Sequence, residues 1–178
     1  EDQVHALTSA QVASLTSTKI GNLGGDIGQL TPAAIAGLTK TNITGVTMSN
    51  LTGDGQFAAL TSAQISYLTA NGQISGLTQD QVGSMTAAQA SGITAAQTPY
   101  LAPSNLAVLS PKAFAGLSTA AIASLKDTVA GTAQMEAITA DQAAQMTTVQ
   151  AKALLGTVID SLSADAVDAL SPAAVGAI

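Results

Sequence analysis

Leu60-Thr61-Ser62-Ala63-Gln64-Ile65-Ser66-Tyr67-Leu68-Thr69 holds one complete copy of the phrase on which this chain is written. Thr61 and Gln64 stand three residues apart, directly ahead of Ile65. That is the form of a capping box: the hydroxyl accepts from the backbone N–H at N3, and the amide side chain reaches back to the N-cap N–H. Ile65 and Leu68, at i and i+3, share one face of a helix. On a strand the same odd spacing would put them on opposite faces. Thr69 then restarts the phrase eight residues after Thr61. A continuous helix does not fit, because eight residues turn the apolar stripe by about 80° per copy and it would spiral around the axis. The reading is a helix of about six residues, a sharp turn, and another helix.

The phrase recurs in both directions, as LTSAQVASLT at 7–16 and LTQDQVGSMT at 77–86. Each unit can be anchored on its first apolar position. The series runs 4, 12, 20, then 27, 35, 43, 51, then 57, 65, then 74, 82, 90, 98, 106, 114, 122, 130, then 135, 143, 151, 159, 167, 175. Asp54 and Ala133 are the two units' breaks in the rule that an Ile, Leu, Val or Met follows three residues after the anchor. Thr-x-x-Gln recurs at Thr8/Gln11, Thr78/Gln81, Thr86/Gln89, Thr94/Gln97, Thr139/Gln142 and Thr147/Gln150. Thr31-Pro32, Ser110-Pro111 and Ser171-Pro172 place proline where a first helical residue needs no N–H. Two independent signals therefore agree on the helix starts. The register slips four times, beside Gly24 and Gly25, Gly53 and Gly55, Gly72, and Gly131, which reads as irregular corners. Pro99 and Pro103, four apart, predict a kink.

A helix this short does not persist alone. It must bury its face against neighbouring units, as solenoid repeats do. The expected fold is all-α: a solenoid of short capped helices from about 23 imperfect eight-residue repeats, forming a single array over residues 1–178. Alanine and glycine between the anchors are expected to let helices approach closely. The beginning, Glu1-Asp2-Gln3-Val4-His5, and the end on a core pair, Val175 and Ile178, read as those of a segment from a longer protein.

Composition narrows the function. The chain has 178 residues, 47% hydrophobic but only 2% aromatic, so its core is aliphatic and few rings are left to stack on bases or sugars. Charged residues make up 9%, with five Lys, no Arg and a net charge of −6, which argues against nucleic acid. With so little charge, Thr, Ser, Gln and Asn are expected to keep the surface wet. No Cys is present, which fits an oxidising setting and excludes thiolate chemistry. No apolar run reaches the roughly 18 residues of a membrane span.

The octad L-T-x-x-Q-V-x-x resembles tandem repeats of very long secreted or surface-exposed bacterial proteins, adhesin-like ones among them, over essentially the whole chain. The resemblance implies export and a scaffold or adhesive role, and it carries over no catalytic residue. Leu30-Thr31-Pro32-Ala33-Ala34-Ile35 also looks like the opening of a TAL-effector DNA-binding repeat. That family has a repeat of about 34 residues with a base-reading pair in each loop; nothing here recurs at that length, and the charge is acidic. Only the capping chemistry is shared.

The sequence offers no catalytic, cofactor-binding or metal residue. His5 is the one histidine, has no convergent ligand partners and no nucleophile elbow. Asn22–Gly28 and Thr52–Gly55 resemble fragments of calcium loops but lack the oxygen ligands calcium needs, and turn chemistry explains them. Asp160, Asp165 and Asp168, like Glu136 and Asp141, read as helix-start or solvated carboxylates. The sequons at Asn42 and Asn50 fit the repeat itself. Tyr67 and Tyr100 read as contacts or as cover for the core, and Lys19, Lys40, Lys112, Lys126 and Lys152 form no run. A regular Thr-bearing face could order ice, but a hydroxyl that caps its own helix is not free to do so. The expectation is therefore a non-enzymatic structural segment, without cofactor, of a secreted or cell-surface bacterial protein. Its partners would be copies of itself or adjoining repeats. The alternative is a module that binds a surface protein or glycan with one face.

Overall fold

The computed structural model of the chain describes residues 2–125, 133–158 and 161–177. The unit anchored at Ala130, the glycine slip at Gly131, and Lys126, Ile159, Asp160 and Ile178 lie outside the described residues. Among the described residues every regular element is helical and no strand occurs.

The elements start where the caps predict. Thr8, Thr61, Thr78, Thr86 and Thr139 each complete a reciprocal capping box with the Gln three residues on. In the unit quoted above, Gln64 N–H donates to Thr61 Oγ1 at 3.2 Å, and Thr61 N–H donates to Gln64 Oε1 at 2.8 Å. Pro32, Pro111 and Pro172 open helices behind the hydroxyl caps Thr31, Ser110 and Ser171. Pro103 likewise opens the helix Pro103–Val108, while Pro99 sits in the 3-10 turn Thr98–Tyr100, so the two prolines mark successive element starts. The α-helices span four to six residues, apart from Thr148–Val158 with 11. Thr61→Ala should lower stability by about 1 kcal/mol, because an orphan N–H returns at N3, whereas Thr61→Ser should leave stability nearly unchanged. Urea unfolding of the two variants checks both.

Among the described residues most anchors and their i+3 partners form one aliphatic core, from Val12 and Ile20 to Leu162 and Leu170, with Phe57 and Phe114 fully buried in it, whereas Val175, expected in the core, is 50% exposed. One anchor differs from the sequence reading. Met48 and Leu51 are both buried and make the pair, so Leu51 is the second member of its unit and Asp54 breaks no rule. The Met48 unit follows the Ile43 unit after five residues in place of eight.

Packing runs in three series. Ser9–Ser14 packs on Pro32–Ile35, which packs on Gly53–Phe57, followed by Gln79–Gly83, Pro103–Val108 and Ala133–Glu136. Ser17–Asn22 begins the second, continued by Ile43–Gly45, Ser62–Tyr67, Ala87–Ala90, Pro111–Gly116, Ala140–Ala144 and Ala164–Asp168. In the third, Asp2–His5 meets Gly24–Gln29 and that meets Met48–Asn50; Ala70–Ile74 meets Thr98–Tyr100; Thr119–Ala123 meets Thr148–Val158 and that meets Pro172–Val175. Apart from the pairs that straddle residues 126–132, two other units lie between the packed neighbours in sequence. The backbones approach most closely at glycines two residues past the anchor. A Cβ on Gly37, Gly45 or Gly92 would stand 2.1, 2.0 or 2.1 Å from the carbonyl oxygen of Ser9, Ser17 or Ser62.

The glycine-marked slips become 3-10 and π elements. Gly24–Gln29 is a 3-10 helix, with Gly24 at φ +53°. Gly53–Phe57 and Ala70–Ile74 are π-helical turns. In both, the Thr-to-Gln spacing is four: Thr52 N–H donates to Gln56 Oε1 at 3.0 Å, and Thr69 N–H to Gln73 Oε1 at 2.9 Å. Each is an octad carrying one extra residue, and the capping contact survives by widening the turn. At Ala70–Ile74 the extra length is taken up by Gly72, whose φ of +116° is open to glycine and costly for other residues.

Candidate functional site: an amide ladder and a surface groove

The residue just before the anchor is N3 of its helix, and in most units it is Gln or Asn. The sequence suggests that these amides wet the surface. The structure buries them: Gln56, Gln64, Gln73, Gln81, Gln89, Gln97, Gln134, Gln142 and Gln150 all lie in the interior, with Asn42 and Asn105. The Oε1 of each of these Gln other than Gln134 works within its own unit, on the capping residue's N–H. The Nε2 works between units. Gln97 Nε2 donates to the carbonyls of Ile65 and Leu68 at 2.9 and 2.8 Å. Gln142 Nε2 donates to those of Leu106 and Leu109, both at 2.8 Å. Gln73 reaches Ile43 and Val46 at 2.8 Å each, and Asn42 Nδ2 reaches Val12 and Leu15 at 2.9 and 3.1 Å.

For the glutamines and Asn42 the acceptors are an anchor or near-anchor carbonyl and the carbonyl ending that unit, in the chain segment that leads into the neighbour on which the donor's own helix packs; Asn105 reaches the unit-ending carbonyl of Leu77. One side chain thus caps its helix and ties it to the preceding layer. Both π units keep the contact, through Gln56 to Gly28 and Leu30 and through Gln73. No buried side-chain nitrogen or oxygen among the described residues lacks a partner. Where the ladder position is Ala34, Ala113, Ala121, Ala166 or Ala174, the side chain is buried and the cap is Thr31 or a serine. A methyl group fills the same interior slot without the reciprocal box.

His5 Nδ1 lies 3.0 Å from the Gln29 carbonyl oxygen, on the surface. Asn42 is fully buried and spends its amide on the ladder, so its sequon is closed to modification in the folded chain. Asn50 Nδ2 donates to the Gly24 carbonyl at 3.0 Å. Asp165, Asp141 and Asp80 stand in first turns, where a carboxylate meets the positive end of the helix. Among the described residues no three His, Asp or Glu side chains converge as metal ligands would. Tyr67 packs against the core with Lys40 Nζ 5.7 Å from its ring centre, whereas Tyr100 is 46% exposed. Among the described residues no helix is long and apolar enough to cross a membrane.

A groove of about 860 Å³ opens on the surface beside the short Met48 unit. Ser49, Thr52, Thr78, Gln79, Asp80 and Val108 are among its lining residues, so it is polar, with one carboxylate and no ring. Compared with known protein families, curated proteins and solved structures, the chain matches none.

Proposed function

We propose that this chain is a stretch of α-solenoid with three short helices per turn, acting as a spacer or scaffold in a secreted or cell-surface bacterial protein. Its partners are adjoining repeats of the same protein or further copies of itself, and its role is non-catalytic and needs no cofactor. The observation that carries this reading is the amide ladder, which joins one layer to the next from Asn42 to Gln150. It supports a coil because, outside the stretch 126–132, the ties and the packing contacts between layers step by the same number of units. It supports a structural role because the polar side chains are spent inside the fold: threonines on caps, glutamines on caps and ties. Export rests on the resemblance to secreted tandem repeats, with the absence of Cys in keeping.

Small-angle X-ray scattering over a concentration series tests the proposal. A stack of seven elements, such as the series from Ser17–Asn22 to Ala164–Asp168, spaced by about 8–10 Å, is about 60–70 Å long. The expected profile is that of a short rod with a radius of gyration of about 20 Å, lengthening with concentration if copies join. A compact particle near about 16 Å, the value for a globule of this length, would sink the spacer reading. The groove at Asp80 would then favour the second reading, a module that binds a protein or glycan on one face.

A further inference from the structure

Among the described residues four of the six irregular elements fall on one edge, while Ile43–Gly45 and Gly53–Phe57 lie on the other two. Gly24–Gln29, Met48–Asn50, Ala70–Ile74 and Thr98–Tyr100 are 3-10, 3-10, π and 3-10, and each follows the previous one after three units. Gly24–Gln29 packs on Met48–Asn50 and Ala70–Ile74 on Thr98–Tyr100, and the three-unit step puts both pairs on one edge. In the same layers the other two edges are mainly α-helical: Pro32–Ile35, Gln79–Gly83 and Pro103–Val108 on one, Ser62–Tyr67, Ala87–Ala90 and Pro111–Gly116 on the other. We propose that this edge is a built-in compliant seam, along which the layers from Gly24–Gln29 to Thr98–Tyr100 open locally and bend while the two mainly α-helical edges stay closed. The proposal rests on the coil reading above.

Two physical differences set the seam apart. Hydrogen bonds in 3-10 turns have poorer geometry than those of α-helices, and a three-residue turn such as Met48–Asn50 holds few of them. In the seam no N-cap side chain accepts from the first turn of Gly24–Gln29, Met48–Asn50, Ala70–Ile74 or Thr98–Tyr100, and Ala70–Ile74 keeps only the Gln73 half of its box, from Thr69 N–H. By contrast Thr61, Thr78 and Thr86 each cap an α-helix of the neighbouring edges. Local opening follows the local density of such contacts. In a spacer, a soft edge lets the rod bend under load without loss of its core.

Native-state hydrogen exchange read by peptide mass spectrometry tests this on the whole chain. Amides in 70–74 are expected to exchange at least about tenfold faster than those in 79–83 and 87–90, which share their layer, and those in 98–100 than those in 103–108 and 111–116. Deleting Gly72 should restore Thr-x-x-Gln spacing from Thr69 to Gln73, replace the π turn by an ordinary octad, and slow exchange there to the rate of its neighbours. Equal protection on all three edges of the wild-type chain would overturn the seam, as would exchange that only fades from the two ends inward. A folded deletion variant with unchanged local exchange would do the same. The solenoid reading would survive any of these, since it stands on the scattering profile.

Discussion

Gln142→Glu is expected to destabilise the chain by about 3–5 kcal/mol at neutral pH, because it leaves a buried charge without a partner. Gln142 is 0% exposed, and its Nε2 sits 2.8 Å from two carbonyl oxygens. Glutamate keeps the shape and the acceptor for Thr139 N–H, yet it replaces the donor facing both carbonyls by a third acceptor oxygen. Ionisation is disfavoured there by desolvation and by the facing oxygens, so the folded acid titrates above its unfolded value of about 4.3. A raised acid is least harmful below the unfolded value, where both states carry the proton. The deficit against wild type should therefore be small at pH 4 and grow as pH rises, until the folded group itself ionises. Gln142→Ala should cost about 2 kcal/mol and show no such pH dependence. Chemical unfolding of the three proteins at pH 4 and pH 7 decides the matter; a glutamate variant as stable as wild type at pH 7 would refute the buried ladder.

Gly92→Ala is the second large effect, at about 3 kcal/mol. The new Cβ would lie 2.1 Å from the Ser62 carbonyl oxygen and 2.8 Å from the Ser62 carbonyl carbon and Cα. All three are backbone atoms, so no side chain can swing away, and the Ser62–Tyr67 and Ala87–Ala90 helices must separate. Gly25→Ala is the control, since its Cβ meets nothing within 4 Å and its φ is ordinary; a change within about 0.5 kcal/mol is expected. Thermal unfolding midpoints of the pair would test the close approach directly. If both variants melted together near wild type, the layers would not be packed as described.

Element type and element starts were legible in the sequence, and the partner of each element was not. Thr61, Gln64 and Pro32 announce helix starts by chemistry confined to four residues, and Ile65 with Leu68 names the buried face. Which unit lies against Ile65 is a different kind of question. In a near-uniform octad every apolar face suits every other, so the choice is made by the turn angles, which no residue type spells out. The same degeneracy hid Met48: a five-residue step looks like noise until Met48 and Leu51 are seen buried together. The glutamines were read half correctly. Their capping role shows in Thr-x-x-Gln, but their second role depends on carbonyls 26 to 36 residues earlier, which the local pattern cannot reveal. A signal for the three-unit period was present all the same. Gly24 and Gly25, the short Met48 step, Gly72 and Thr98-Pro99 recur about every third unit. The groove beside Asp80 had no signature of its own, since it is lined by ordinary Ser, Thr and Gln from units distant in sequence.

The direction of the ladder bears on how the chain is made. Among the described residues each ladder amide follows its acceptors in the sequence, by no more than 36 residues. A ribosome delivers the N-terminus first, so every emerging glutamine meets carbonyls already in place. Folding can then advance at the pace of synthesis, one short helix at a time, without waiting for residues still to come. All its pairings are short in range compared with the chain, which keeps the entropy of closing each one low. The polarity of a single side-chain contact thus gives growth of the fold an order from first residue to last.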